Sequence, residues 1–283
     1  MKYCVVCHSP PSSLRPLWRG LVRCENCGHC QADLDLDALE TRTLYQQGYF
    51  VGGEYADYPQ DRRVYERHFR RRLRLLRKLR PSGTLIEIGC GYGFFLALAQ
   101  RTYQARGFDI ASAAVAFARD RLGVDARAED FLDADIPDES VDVVAMWDTI
   151  EHLRRPDLVV QKISRVLRPG GVVALTTGDI ESRLARWRGP KWRLIHPPTH
   201  LHYFSRRTIF RLLTSAGLRP LASRYVAMSR SLRQIAYSLA VQKAEREPRF
   251  YRWLKRSRLG DVSFSLNMYD ILLVVASKES QGS

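Results

Sequence analysis

The pairs C-V-V-C (Cys4, Cys7) and C-E-N-C (Cys24, Cys27) place four thiols in two short knuckles near the start of the chain. Each C-x2-C lets one tight turn aim two thiolates at a common point, and two knuckles complete a closed tetrahedral S4 shell. Such a shell keeps no open coordination position, so the spacing predicts a structural Zn2+ site. Pro10, Pro11 and Gly28 suit the turns, and His29 and Cys30 stand near enough to replace a ligand. Disulfides are the competing use of these thiols. The leading residues MKYCVVCHSPP hold no apolar stretch of the export-signal kind, which argues against an oxidising compartment.

Histidines form a second group. T-H-L-H-Y-F carries His200 and His202, two apart. As an extended segment it would turn both, with Phe204, to one face, and Leu201 and Tyr203 to the other. An imidazole near neutral pKa is a suitable general base. His152, in E-H-L, follows a continuous apolar run and is a third candidate. A metal held by His196, His200 and His202 lacks a carboxylate close by in sequence.

A third stretch, LIEIGCGYGFF, spaces Gly89, Gly91 and Gly93 two apart behind an apolar run. Glycine permits a ligand to lie against bare backbone. A dinucleotide loop, G-x-G-x-x-G, would need its third glycine at position 94, where Phe94 stands, and no G-K-[ST] follows to make a P-loop.

The elements that must position these residues alternate. From Thr84, apolar strand patterns (TLIEI, ARGFDI, Val124–Ala128, VDVVAMW, VVALTT) are separated by helical patterns (FFLALAQ, AVAFARDRL, LVVQKISRVL). That alternation predicts a doubly wound α/β fold with a mostly parallel sheet and helices on both faces. The expected organisation is a zinc ribbon over 1–35 and an aromatic connector with a basic helix over 36–80. A main domain over 81–283 follows, with a basic insertion at about 228–264. The helix over 61–80 should bury a stripe of Tyr65, Phe69, Leu73, Leu76 and Leu79.

The string E-I-G-C-G-Y-G resembles the first motif of the class I S-adenosylmethionine methyltransferases, and the resemblance continues in order through later positions. It implies a seven-stranded sheet and S-adenosylmethionine as cofactor. Gly89, Gly91 and Gly93 would lie against it, with Glu87 beneath the loop holding the turn and acting on the cofactor amine. Asp109, with Ile110, would take the ribose hydroxyls, and Asp130 and Phe131 the adenine. WDTIEHL, with Trp147 and Asp148, matches the fourth-strand motif, and RVLRPGG the turn before the fifth strand. With the ribbon, the connector YQQGYFVGGEYADY and the segment 191–209, the chain resembles a bacterial subgroup associated with glycan and secondary-metabolite pathways. Zinc-ribbon sugar C-methyltransferases are a more distant comparison. The resemblance spans about residues 1–225. It implies in-line methyl transfer to a sugar, nucleotide sugar or lipid-linked glycan, with His200, His202 or His152 as base. Tyr49, Tyr55 and Tyr203 would contact the acceptor.

The formal net charge is +15, from 45 Lys and Arg against 30 Asp and Glu. Such a balance suits a phosphorylated acceptor, an anionic membrane surface or nucleic acid. Zinc-ribbon RNA methylation is the alternative enzyme reading, although no N-P-P-Y-type tetrapeptide follows the fourth strand. A non-catalytic scaffold of the same fold is the alternative outside enzymology. No apolar run reaches the roughly 20 residues of a membrane span. A soluble, cytoplasmic protein with peripheral membrane contact at most is expected.

Overall fold

The computed structural model describes residues 3–34, 36–46, 59–241 and 248–279. In chain order the N-terminal part contains β1 (Leu14–Pro16), β2 (Leu21–Cys24), β3 (Cys30–Ala32), α1 (Ala38–Gln46) and α2 (Arg62–Leu79). The centre alternates β4 (Thr84–Ile88), α3 (Phe94–Ala99), β5 (Gln104–Phe108), α4 (Ser112–Leu122), β6 (Asp125–Arg127), β7 (Val141–Trp147), α5 (Pro156–Val166) and β8 (Leu167–Gly178). There follow α6 (Arg183–Arg188), β9 (His202–Tyr203), α7 (Arg206–Ser215) and β10 (Leu218–Tyr225). The chain closes with β11 (Met228–Ser231), α8 (Leu232–Ala236), α9 (Arg249–Arg256), β12 (Ser263–Leu266) and β13 (Ile271–Lys278).

Seven strands form the central sheet in the order β10-β13-β8-β7-β4-β5-β6. β13 runs antiparallel between β10 and β8, and the remaining pairs are parallel. This is the mostly parallel, doubly wound sheet expected from the alternation. β7 shows why VDVVAMW reads as one apolar run: Val144 and Met146 face one core, and Val143, Ala145 and Trp147 face the other. The first core is closed by α5 and α7, the second by α2 and α3. A parallel strand covered on both faces has no polar side.

The buried face of α2 is rotated from the expected stripe. Val64, His68, Phe69, Arg72 and Leu76 are buried, whereas Leu79 is exposed. Two polar side chains, His68 and Arg72, thus point inward.

The ribbon is continuous with the main fold. β1, β2 and β3 form a sheet whose fourth strand is β9, with Cys30 opposite Tyr203 and Gln31 opposite His202. Cys4, Val5, Val6, Cys24 and Cys27 share a core with Phe204 and the central sheet.

The segment after β10 is pinned to α2 by a buried ion pair. Asp61, 2% exposed, accepts from Ser231 Oγ at 3.0 Å and from the Arg233 guanidinium at 3.1 Å; Arg233 also reaches Asp261 at 2.8 Å. Removing Asp61 leaves the Arg233 guanidinium with Asp261 alone and the Ser231 hydroxyl without its acceptor. Asp61→Ala is expected to cost about 1–3 kcal/mol. The loss should appear in denaturant unfolding and as faster hydrogen exchange over β11 and α8. Adding Arg233→Met to Asp61→Ala should recover part of it.

Candidate functional site

The glycine loop lies between β4 and α3. Gly89, Gly91 and Gly93 have φ of 73°, 48° and 72°, the left-handed region that favours glycine. Sequence reasoning assigned the missing side chains to a ligand, and the protein itself supplies a further reason. A Cβ on Gly89 would meet Thr149 Oγ1 at 2.4 Å, and one on Gly93 would meet Ala118 Cβ at 2.8 Å. The loop is packed from below before any ligand arrives.

Asp109, at the end of β5, fixes the loop. Its Oδ2 accepts from the Gly91 N–H and its Oδ1 from the Ala111 N–H, both at 2.8 Å. Burial raises its pKa, and the N–H groups of Ala111, Gly91 and Ile110 oppose the rise. Glu87 lies deeper, 3% exposed, facing the N–H of Leu96. Burial and then the nearby Asp109 hold its carboxyl well above the usual carboxylate range. Its Oε2 has no hydrogen-bond partner among the described residues.

Trp147 and Asp148 end β7. The Asp148 N–H donates to Thr176 O at 3.1 Å, and Asp148 takes a left-handed φ of 53°. The Arg72 guanidinium lies 4.8 Å over the Trp147 ring and 3.5 Å from Asp148 Oδ2. Arg72 was missed from sequence, although its place three residues after Phe69 and four before Leu76 puts it on the apolar stripe. Asp130 Oδ1 accepts from Leu132 N–H at 2.9 Å, and Phe131 meets Phe108 edge-on at 5.8 Å. The structure thus gathers Glu87, the three glycines and Asp109 around one loop. Trp147 and Asp148 stand beside Arg72 at the end of β7.

A cavity of about 160 Å³ opens beside Trp147 and Asp148. His68 and Arg72 of α2 line one wall, Glu151, His152 and His200 another, and Ser229 and Arg230 close it from β11. The Leu201 N–H donates to Glu151 O at 2.9 Å, which ties the two wall segments together. His152 donates from Nδ1 to Thr199 O at 2.7 Å, and its ring meets that of His200 edge-on at 4.5 Å. Burial pushes the pKa of His152 down to about 4 and that of His200 well below its usual value, so both are neutral at pH 7. Glu151 is pushed up to about 8 by burial and then by Asp148.

His202 is placed elsewhere. As part of β9 it stacks on His29 of the ribbon at 5.4 Å, with Phe204 behind them. The expected common face of His200, His202 and Phe204 holds only for the last two. His200 precedes β9, at a point where Leu201 bridges two segments: its N–H donates to Glu151 O at 2.9 Å and its carbonyl accepts from Ala32 N–H of β3 at 2.8 Å. Tyr203 is buried among Leu21, Cys30 and Trp192, away from the cavity. Tyr49 and Tyr55 lie outside the described residues.

The thiols of Cys4, Cys7, Cys24 and Cys27 lie within 4.8 Å of one another, with Cys4–Cys27 at 3.5 Å and Cys7–Cys24 at 3.6 Å. None is in a disulfide. The edge of a tetrahedron with 2.3 Å Zn–S bonds is about 3.8 Å, so the donor set fits zinc. His8 (φ 54°) and Gly28 (φ 77°) make the reversals after the two knuckles. Cys30 is buried in the neighbouring apolar cluster, and His29 packs on His202.

A family model described as a methyltransferase domain matches residues 60–223. A probable S-adenosylmethionine-dependent methyltransferase of Mycolicibacterium smegmatis is 40% identical over 95 residues, 33% of this chain and 37% of that protein. A malonyl-[acyl-carrier protein] O-methyltransferase of Methylococcus capsulatus is 32% identical over 145 residues, 48% of this chain and 52% of that protein. The matched segments span between 37 and 52% of these relatives' own length. Among solved structures, a chain from the complex of the Haloferax volcanii Trm112 methyltransferase activator with a methyltransferase superposes with a TM-score of 0.55. It shares 20% identity and covers 79% of this chain and 95% of that one, a likeness of fold alone.

The buried Glu87 yields a test of the loop's electrostatics. Because its folded pKa is raised, its contribution to stability is present below the usual 4.5 and is lost as pH rises through the folded value. Glu87→Gln is therefore expected to melt higher than wild type at pH 8, with the difference shrinking toward pH 4. Calorimetric melting across that range checks it.

Proposed function

The chain belongs to the methyltransferase-domain family that it matches over residues 60–223, and from that premise we propose that it is an S-adenosylmethionine-dependent methyltransferase acting on a small-molecule or glycan acceptor. The observation that carries the reading is the polar cavity that adjoins Trp147 and Asp148 at the carboxyl end of β7. In an open α/β sheet, ligands bind at the carboxyl ends of the strands.

S-adenosylmethionine, when bound, supplies an electrophilic sulfonium methyl. Gly89, Gly91 and Gly93 offer it bare backbone, and Asp109, with Ile110, offers lone pairs beyond those given to Gly91 and Ala111. Asp130 and Phe131 stand for the adenine, Trp147 and Asp148 for the edge facing the acceptor. The unpartnered Oε2 of Glu87 is a buried acceptor suited to an ammonium group. The fit is chemical: an acidic floor for an amine, and open backbone for a flat ligand.

The acceptor would enter between α2 and β11. His68, Arg72 and Arg230 give the entrance cationic and hydrogen-bonding character, which suits a sugar, a nucleotide sugar or a lipid-linked glycan carrying phosphate. Its hydroxyl is placed against His152 and His200, neutral imidazoles able to receive the proton, with Glu151 helping to exclude water. His202 serves this arrangement by joining β9 to the ribbon, whose four cysteines hold structural zinc. RNA as acceptor is the second reading. It is favoured by α9, where Phe250 and Trp253 are exposed among Arg249, Arg252, Lys255 and Arg256. Among the described residues no helix is long and apolar enough to cross a membrane.

The test is transfer of labelled methyl to nucleotide sugars, glycolipid extracts and total RNA. Label is expected in the sugar or glycolipid pool, and His200→Ala should lower turnover about 10²- to 10⁴-fold with S-adenosylmethionine affinity retained. Label in RNA that disappears as salt rises would move the acceptor assignment to α9.

A further inference from the structure

The polar corner of the cavity has a feature that proton transfer alone does not explain. Sequence spacing offered no carboxylate near the histidines of 196–202, and the fold supplies one. The short turn Ile150–His152 after β7 carries Glu151, and the backbone bond from Leu201 to Glu151 brings His200 against it. One carboxylate oxygen of Glu151 and one ring nitrogen each of His152 and His200 lie within 4.8 Å of one another.

Each member is prepared as a ligand. Glu151 is 4% exposed; its Oε2 makes no hydrogen bond of ordinary geometry among the described residues, although the Thr177 side chain faces its carboxyl. A buried carboxyl so weakly compensated holds its charge at a cost that a cation in reach would offset. His152 is tied through Nδ1–H to the Thr199 carbonyl, and the His200 ring is held by the Leu194 carbonyl. A neutral imidazole that donates from one nitrogen presents the other as an acceptor. Anchoring to a backbone carbonyl is how metal-ligating histidines are oriented. Asp148 adds negative charge next to Glu151. The cavity lies on the remaining side and leaves coordination positions open to an acceptor.

We propose that Glu151, His152 and His200 bind a divalent transition-metal ion at the wall of the acceptor cavity, distinct from the zinc of the cysteine ribbon. Two imidazoles and one carboxylate with open positions suit Mn2+, Fe2+, Co2+ or Zn2+. The acceptor that fits is one with two neighbouring oxygen donors, such as a vicinal diol or a hydroxyl beside a carboxylate. The ion would fix that acceptor and lower the pKa of the bound hydroxyl, whose proton would leave to water on the open side of the cavity; the resulting oxygen would take the methyl as the carbon–sulfur bond of the sulfonium breaks to leave a neutral thioether. This deepens the proposed function and rests on its assignment of the cavity to the acceptor. The cluster then acts by holding an ion, and the imidazoles serve as ligands in place of the role of base.

Mn2+ separates the two metal sites, because tetrathiolate shells select softer ions. Zinc-loaded full-length protein is titrated with Mn2+, free ion is read by electron paramagnetic resonance, and S-adenosylmethionine binding is measured by calorimetry on the same samples. Wild type is expected to bind one Mn2+ per chain and to enhance water-proton relaxation through the open positions. Glu151→Gln and His200→Gln are each expected to weaken Mn2+ binding at least about 10- to 100-fold, with the melting transition and cofactor affinity retained. Mn2+ that stays free with wild type, or binds equally to both variants, overturns the proposal. Wild type that binds Mn2+ but not S-adenosylmethionine upholds the ion site and overturns the methyltransferase reading beneath it.

Discussion

The carboxylate of Asp109 under the glycine loop is the interaction on which the site depends. One side chain at the end of β5 takes the N–H of Gly91 with one oxygen and that of Ala111 with the other. It therefore sets the loop after β4 and the start of α4 in a single stroke. Burial penalises its charge, and the converging N–H groups offset that penalty. Glu87, one strand over and deeper, has less compensation and carries the unpartnered oxygen. Two acids at graded depth beneath bare backbone make a floor that asks for a cationic, flat ligand.

Much of this was legible in sequence, because it depends on local pattern. The sheet followed from apolar runs bounded by helical periods, and VDVVAMW reads as a strand covered on both faces because it is one. The glycines stand at left-handed positions that few other residues tolerate. The four thiols of the knuckles meet because a C-x2-C turn has little freedom.

What was not legible depends on contacts between distant segments. Alternation along T-H-L-H-Y-F put His200 and His202 on one face, but only His202–Tyr203 is strand, paired to the ribbon. One residue earlier Leu201 joins β3 through its carbonyl and Glu151 through its N–H, and on either side of it His200 lines the cavity while His202 packs on His29. Glu151 looked like an unremarkable neighbour of His152 until that bond joined the two segments. Arg72 was hidden among arginines that face solvent, although it stands three residues after Phe69 and four before Leu76 on the buried stripe. Its burial over Trp147 shows that α2 is a wall of the site as well as a cover for the sheet.

The central claim is that the loop organised by Asp109 holds S-adenosylmethionine, and isothermal titration of wild type against Asp109→Ala tests it most directly. Wild type should bind, and the variant should lose about 1–3 kcal/mol of binding free energy, the scale of charge-assisted hydrogen bonds. Equal affinity in the two proteins, or no binding by a folded wild type, would contradict the account.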